Sequence, residues 1–452
     1  MPHWFPSPST HLMWSAVALL VYVLSTRVDQ LRRPQTSAIA WVMGLAMLPY
    51  LFLPLYLFFG RRKLKVPRVA RAPAVDANAH WAATLIGSFG LPPPRPTVVQ
   101  FHADGAQARA ALWKTIDSAQ NRLDLCTFLV GDDLLGRELL ERLTQRAQAG
   151  VTVRLMIDGA GLWLVRHPSF AKLRAAGAQV ATFHPMLRLH PRGTRNMRNH
   201  RKFVLADDAR LWSGGRNFAS EYFRDDPRDG AGWIDLSFDL QGEVAADAAR
   251  QFESDWSRAR RGTAGRVIGR HESIGSPAQF LPSGPDQSED TAQALLVAAC
   301  YRAQRRVLAV TPYFVPDESL LMALRLAALR GVRVTLVLPL VSNHRLADFV
   351  RGRALRALAG AGAQIRLAPQ MVHAKAVVVD ESLGICGSIN LDARSLLINY
   401  EASVVFYGAG EIEWLAQWID ALAARGSSFV ARPPGLARDL AEGLLLTMAF
   451  QL

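Results

Sequence analysis

Cysteine is scarce in this sequence: Cys126, Cys300 and Cys386 are the only three among 452 residues. They lie far apart and inside apolar runs. Three such residues cannot build a disulfide scaffold or a cysteine-rich zinc module. They read as small buried hydrophobes in a reducing compartment. Acidic residues are also in deficit, 38 Asp and Glu against 52 Lys and Arg, for a formal net charge of +14. Charged residues make up 20% of the chain and apolar residues 50%, a balance that excludes wholesale disorder. The length suits about three ordinary domains, or one duplicated unit with an appendage.

The excess positive charge is unevenly placed. Residues 1–75 hold nine Lys or Arg and one Asp, so eight of the fourteen net charges sit there. Their neighbours are apolar. Leu12 to Thr26 carries no charge, and neither does Ser37 to Gly60. At about 1.5 Å per residue the second stretch reaches about 36 Å as a helix, enough for a tilted crossing, and the first crosses with its uncharged flank from Ser7. A cleaved signal peptide is the competing reading of the first stretch. No Lys or Arg precedes it and no Ala-x-Ala site follows it. Residues 1–60 therefore read as a two-helix transmembrane hairpin. Six basic residues follow the second stretch (Arg61 to Arg71), against three between the two (Arg27, Arg32, Arg33). That bias predicts a multi-pass membrane protein with its large C-terminal part in the cytoplasm. Residues 61–97, basic and then rich in proline, read as a juxtamembrane linker.

The remainder is a duplication, with halves at 98–270 and 271–452. Arg122 to Val130 (RLDLCTFLV) matches Arg306 to Val315 (RVLAVTPYFV), and both read as buried strands. Leu139 to Ile157 matches Leu320 to Leu338, each an amphipathic helix, a glycine stop and a β-branched strand. This alternation predicts an α/β fold of two pseudo-symmetric halves, mixed sheets flanked by helices. The strongest match aligns Asn199 to Asn217 with Val372 to Asn390. Each copy has a His, then Lys at +2, Asp at +7, Gly at +14 and Asn at +17. The first set is His200, Lys202, Asp207, Gly214 and Asn217; the second is His373, Lys375, Asp380, Gly387 and Asn390. Gly215 and Ser388 occupy the intervening position, and an acid follows in each half, Asp235 or Glu401.

His and Lys two apart on a strand face the same side, so imidazole and ammonium meet one ligand. Asp at +7 falls in the following turn, where it can pair with a basic group. Doubled about a twofold axis, the set supplies two imidazoles, two ammoniums and two amides around one site. That suits phosphodiester chemistry without a metal. One neutral His attacks phosphorus and the other, protonated, serves the leaving alkoxide. Lys and Asn stabilise the extra negative charge on the phosphoryl oxygens. A carboxylate on the far ring nitrogen would hold each imidazole in the useful tautomer. Zinc is the other sharp reading of two His with nearby acids, but neither copy has paired His or Cys at ligand spacing.

This doubled His-x-Lys-x4-Asp pattern resembles the phospholipase D superfamily, and the likeness runs from about Val98 to the C-terminus. MRNHRK (Met197 to Lys202), GGRN with EYF (Gly214 to Phe223), TPYFVPDESLL (Thr311 to Leu321) and HAKAVVVD with GSINLDARS and NYE (His373 to Glu401) resemble the bacterial cardiolipin synthases within it. The resemblance implies transfer of a phosphatidyl group from phosphatidylglycerol to a second phosphatidylglycerol, releasing glycerol, with phosphatidylethanolamine as a variant donor. It implies a phosphohistidine intermediate, no metal or other cofactor, and membrane and anionic phospholipid as partners rather than nucleic acid. It assigns catalysis to His200, Lys202, Asp207, His373, Lys375 and Asp380, with His200 as nucleophile and His373 as acid and then base. Asp235 and Glu401 would orient the histidines, with Asp207 and Asp380 the more structural acids, and Asn217, Ser388 and Asn390 would bind phosphate. Ile234 stands where the family's first half often has Arg, which removes one phosphate contact. A hydrolytic phospholipase D and a superfamily nuclease remain as alternatives. Two further segments stand out. Arg188 to Lys202 holds six basic residues and reads as a patch that receives headgroup phosphates, with Arg192 and Arg195 at its centre. Gly435 to Leu452 has helical apolar spacing and reads as a tail docked on the body.

Overall fold

The structure is a computed structural model. It describes all residues except 1–5, 30–34, 65–79, 187–195, 224–231, 261, 264, 266, 268–273 and 447–452. The headgroup-phosphate patch centred on Arg192 and Arg195 therefore lies mostly outside the described residues.

Three helices open the chain: α1 (Pro8–Asp29), α2 (Gln35–Met47) and α3 (Pro49–Phe59). Residues Pro8–Thr26 of α1 are long and apolar enough to cross a membrane. The second apolar stretch, expected as one crossing, is instead divided. Pro49 has no N–H to donate and its ring clashes with a continuing helix, so the chain turns at Leu48, whose φ is −136° and ψ 61°. The two pieces then pack on each other. Trp41 of α2 meets Phe52 and Tyr56 of α3 at ring distances of 6.3 and 5.3 Å. Ser15 Oγ on α1 donates to Ala46 O at 2.8 Å, and Ser25 on α1 hydrogen-bonds Tyr56 on α3. Along α1 the order Ser15, Ser25 is met by Ala46, Tyr56. Thus α3 runs back in the direction of α1, and the chain leaves α3 at the end where α1 finishes.

The expected linker contains a fourth helix, α4 (Trp81–Ser88), begun by His80, whose Nδ1 accepts from Ala82 N. Its buried Ala82 and Ile86 join the core, because only residues from Pro92 onward carry the proline run.

The first half comprises β1 (Arg95–His102), α5 (Gly105–Ser118), β2 (Arg122–Thr127), α6 (Leu134–Gln148), β3 (Thr152–Asp158), α7 (Gly159–Leu164), α8 (Ala171–Ala175), β4 (Gln179–Phe183), β5 (Phe203–Ala206), β6 (Arg210–Gly214), β7 (Ser237–Gln241) and α9 (Glu243–Arg260). The second comprises β8 (Ser276–Ser283), α10 (Thr291–Arg302), β9 (Arg306–Val310), β10 (Phe314–Val315), α11 (Glu318–Leu329), β11 (Arg333–Pro339), α12 (Arg345–Gly360), β12 (Gln364–Ala368), β13 (Ala376–Val379), β14 (Leu383–Gly387), β15 (Leu391–Asp392), α13 (Ala393–Leu397), β16 (Glu401–Phe406), α14 (Ala409–Arg425), β17 (Ser427–Ser428) and α15 (Leu436–Leu446). The sheet reads β17-β12-β11-β9-β13-β14-β16-β8 and then β1-β7-β6-β5-β2-β3-β4. Apart from the short edge strand β17, the second list repeats the first in reverse, as a pseudo-twofold axis requires. In each half the strand–helix–strand units are parallel (β2 with β3, β9 with β11), and the motif strand β5 or β13 pairs antiparallel. Gly150 and Gly331 end α6 and α11 with φ of +89° and +87°, which is why glycine stands at both repeat positions.

The join between the halves is apolar. Phe101 of β1 lies 5.1 Å from Phe406 and stacks on Trp414 at 4.7 Å. One core continues from Phe203, Phe238 and Phe252 of the first half to Leu308 and Phe406 of the second. The halves thus share their interior, which fixes the relative position of their motif edges. The C-terminal α15 docks on α12 as the sequence suggests, with Glu442 buried between Arg356 and Arg438.

Candidate active site

Both motifs sit at the same kind of place. Cys126 of β2 pairs with Phe203 of β5, so His200 to Lys202 lie just beyond the C-terminal end of β2. Val310 of β9 pairs with Ala376 of β13, which sets His373 to Lys375 beyond the C-terminal end of β9. The two edges are stitched together by backbone. His200 N donates to Tyr400 O at 2.8 Å, and His373 N donates to Ile234 O at 2.7 Å.

Each histidine is oriented by the acid of the other half. His200 Nδ1 lies 3.0 and 3.1 Å from the Glu401 carboxylate, and His373 Nδ1 lies 2.7 Å from Asp235 Oδ2. A carboxylate only accepts, so each Nδ1 carries the proton and each Nε2 is left to the substrate. Both acids are fully buried. Burial works to raise them, yet the facing imidazole and the lysines hold both below the usual carboxylate range.

Ser388, expected as a phosphate ligand, is spent elsewhere. Its Oγ donates to Glu401 Oε2 at 2.5 Å and accepts from Ala402 N at 3.0 Å. It braces the longer acid. In the first half Gly215 stands at this position, and a Cβ there would come within 2.2 Å of Asp235 Oδ1. Glycine with Asp and serine with Glu are thus paired solutions to one spatial problem.

Lys202 and Lys375 are buried beside the imidazoles. Lys202 Nζ donates to His200 O at 2.9 Å. Lys375 Nζ lies 2.9 Å from His373 Nδ1 and 3.1 Å from Nε2. Burial, with Glu401 and Asp235 opposing, pushes Lys202 down to about 8. Burial, the opposing Asp235 and then Lys202 leave Lys375 at about 7. Burial likewise lowers His200, against Glu401, and burial with Lys375 takes His373 to about 3. Burial thus favours the neutral form of both imidazoles. The side chain of His200 is 15% exposed and that of His373 5%.

Each of the two amides has spare hydrogen-bonding capacity. Asn217 Nδ2 donates to the Tyr222 hydroxyl at 2.9 Å, while its Oδ1 and that of Asn390 are buried and have no partner among the described residues. The Asn217 amide turned over would offer N–H in the same direction, since oxygen and nitrogen exchange by a flip. Aromatic rings wall the site. Phe128 lies 5.6 Å from His200, and Tyr222 and Trp233 lie 4.9 and 5.5 Å from His373.

Asp207 and Asp380 do not reach this cluster, and among the described residues neither pairs with a basic side chain. Asp207 accepts from the backbone N–H of Gln120, Asn121 and Arg122, all at 2.8 Å. Asp380 accepts from Gln304, Arg305 and Arg306 at 2.8 to 2.9 Å. Both lie past the far ends of β5 and β13 in left-handed turns, with φ of 52° and 50°. The physical reason is the strand between: a four-residue strand carries position +7 away from the imidazole edge. Their work is to start β2 and β9. We expect Asp207→Ala and Asp380→Ala each to cost about 1–3 kcal/mol of stability while turnover at low temperature stays within about tenfold. Thermal denaturation paired with a turnover assay checks this. Asn, which tolerates the turn and keeps one acceptor, should cost less.

Three residues that matter here have no signal in the repeat. Asp158, at the end of β3, accepts from Asn199 N at 2.7 Å and from Arg198 at 3.3 Å, and so holds the motif loop. Tyr222 follows the first motif but has no counterpart in the aligned offsets. Arg201 lies between His200 and Lys202, and strand alternation turns it to the opposite face. There it meets Asp255 on α9 at 2.6 Å and Asp286 after β8 at 3.0 Å, and donates to Glu401 O at 3.0 Å.

The sequence matches the family described as cardiolipin synthase, phospholipase D-like domain, over residues 112–256 and 296–423. It is 33% identical over 426 residues to cardiolipin synthase A of Pseudomonas aeruginosa (strain LESB58), covering 88% of this chain and 86% of that one. Cardiolipin synthase A of Pseudomonas entomophila (strain L48) is 31% identical over 421 residues, with 87% and 86% covered. The solved structure of phosphatidylserine synthase from Haemophilus influenzae Rd KW20 shares the fold, with a TM-score of 0.61 at 14% identity over 80% of this chain and 98% of that one.

Proposed function

This chain belongs to the cardiolipin synthase family of the phospholipase D superfamily and is a phosphatidyltransferase, and on that premise we propose that it joins two phosphatidylglycerols and releases glycerol. The observation that carries the mechanism is the crossed pairing, His200 with Glu401 and His373 with Asp235. It leaves two imidazole Nε2 atoms for one phosphorus. In the first step the lone pair of His200 Nε2 attacks phosphorus and the bond to the glycerol oxygen breaks. His373, protonated on Nε2, gives its proton to that oxygen. In the second step His373 takes the proton of an incoming phosphatidylglycerol hydroxyl, whose oxygen displaces His200. Lys202, Lys375, Asn217 and Asn390 hold the phosphoryl oxygens. Burial and the neighbouring Lys375 hold His373 neutral, and the negative charge of an entering phosphate favours its protonated form. His200, the more exposed imidazole, takes the nucleophile's place.

The test is a product balance. Phosphatidylglycerol labelled in its free glycerol should yield cardiolipin and free glycerol in equal amounts. Phosphatidic acid in place of cardiolipin would move the protein to a hydrolase, and the same assay with phosphatidylethanolamine defines the donor.

The lysines fix the pH dependence. Each must be charged to hold phosphate, and an ammonium loses its proton as pH rises through its pKa. With Lys375 at about 7 and Lys202 at about 8, kcat/KM should fall as pH rises above about 7. Lys375→Arg, whose side chain stays charged, should move that limb upward. A limb that does not move would assign it to another group.

Membrane attachment supports the same reading. Residues Pro8–Thr26 serve as the crossing segment, and α2 and α3, each about half a bilayer long, dip in and return. In place of two full crossings, this brings α3 back to the end of α1 where Arg61, Arg62 and Lys63 follow, and the positive-inside bias makes that end cytoplasmic, with the catalytic body. A reporter fused before α1 distinguishes the two topologies. It is outside the cytoplasm for one crossing and inside for two.

A further inference from the structure

Exposed apolar side chains scattered singly need no explanation. Two clusters here are not scattered. Trp163 and Leu164, 67% and 64% exposed, end α7 directly after β3. Leu340, Val341 and Leu346, 49%, 67% and 39% exposed, follow β11 and open α12. The strands β3 and β11 are equivalent in the repeat. Each runs parallel to the strand, β2 or β9, whose C-terminal end carries a catalytic histidine. Both tips therefore stand on the edge where His200 and His373 lie, one in each half.

A second observation points the same way. The segment leaving α3 is fastened to this edge. Leu64 N donates to Pro285 O at 2.9 Å, Lys63 Nζ donates to Gly284 O at 2.9 Å, and Arg62 and Lys63 pair with Asp290. These partners follow Ser283, which pairs with Glu401 in the sheet. The membrane helices thus join the body beside the catalytic acid. Exposed Arg166 and Arg345 flank the tips, next to apolar side chains that include a tryptophan. Apolar tips with basic neighbours match an anionic bilayer surface.

We propose that the Trp163–Leu164 tip and the Leu340–Val341–Leu346 tip insert into the lipid interface and seat the active-site edge on the bilayer from which phosphatidylglycerol is drawn. The tips flank the histidines as two feet, and α1 to α3 hold the same edge against the membrane. A dry mouth at the lipid surface favours a lipid hydroxyl over water at the phosphohistidine. This rests on the membrane attachment proposed above, and the test separates the two.

The three native cysteines are buried, so an introduced cysteine takes an environment-sensitive label selectively. The full chain is reconstituted in phosphatidylglycerol vesicles with label at Trp163→Cys, at Val341→Cys, or at Leu329→Cys. Leu329 is 63% exposed at the end of α11, next to the start of β11 and hence on the opposite edge. Labels at 163 and 341 should be quenched by brominated acyl chains and shielded from aqueous iodide, and the label at 329 should show the reverse. Equal iodide quenching at all three positions overturns the proposal. Tip-to-tip cross-linking that rises with protein concentration overturns it too, in favour of a second copy of this chain as the occupant. The double variant Trp163→Ser, Val341→Ser should lose about tenfold or more of its activity on vesicles and keep it on detergent micelles, where the lipid comes to the site. Resistance of the protein to alkaline extraction reports the α1 anchor alone, so failure of the anchor and failure of the tips read out differently.

Discussion

His200→Ala and His373→Ala should each lower phosphatidyl transfer by about 10³-fold or more, and the double variant should be little worse than either. The histidines act on one phosphorus, so removing one leaves the other without a task. Their roles separate by leaving group. A phosphodiester with a nitrophenol leaving group needs no proton when its bond breaks. On that substrate His373→Ala should still form the bond to His200 and then stall, because no base activates the acceptor hydroxyl. Protein-bound phosphate should accumulate on His200, acid-labile and alkali-stable. His200→Ala should form none. If labelled phosphate collects on His373 in the His200→Ala variant instead, the order of the two is reversed. Asp235→Asn and Glu401→Gln extend the test. Each removes the charge that fixes an Nδ1–H tautomer, and each should act on the histidine of the opposite half.

Arg201 should be the most destabilising single truncation in the neighbourhood of the site. It is fully buried between Asp255 and Asp286 and touches the Ser283 and Glu401 carbonyls. Arg201→Met keeps the bulk and removes the charge, which leaves two buried aspartates served by Arg258 and Gln251. Breaking a buried pair in this way costs about 3–5 kcal/mol, because the charges left behind are uncompensated. The midpoint of thermal inactivation in detergent checks the loss. Asp255→Leu and Asp286→Leu added to Arg201→Met should recover much of it, since the unpaired charges then disappear. Because Arg201 ties the first-half motif to Glu401, the single variant should also lower kcat more than it raises KM at a temperature where it is folded. A purely structural role would leave kcat intact.

The repeat made the cluster of the candidate site legible in advance. Identical offsets in two copies singled out His200, Lys202, His373 and Lys375, and the acids Asp235 and Glu401 followed from their place after each motif. Ser388 was misplaced because the repeat shows a residue's position and not its partner. Serine two strands from a phosphate and serine against a carboxylate look alike in one dimension. Asp207 and Asp380 share the motif but lie a strand away from the chemistry. Their regular spacing reflects a turn that both halves need in order to start a strand. The second apolar stretch was read by composition, and Pro49 decided its course through a local steric conflict that composition averages away.

By itself the sequence determined the local periods, the duplication, the residue types of the phosphodiester site and the placing of basic charge around apolar helices. Only the tertiary structure decided which acid serves which histidine. The partners are 201 residues apart for His200 and Glu401, and 138 for His373 and Asp235. No local pattern carries a pairing of that range. It arises because the two halves share one core and one continuous sheet, so that each motif faces the other half's acid before its own. The same arrangement set the apolar tips on the edge that carries the site.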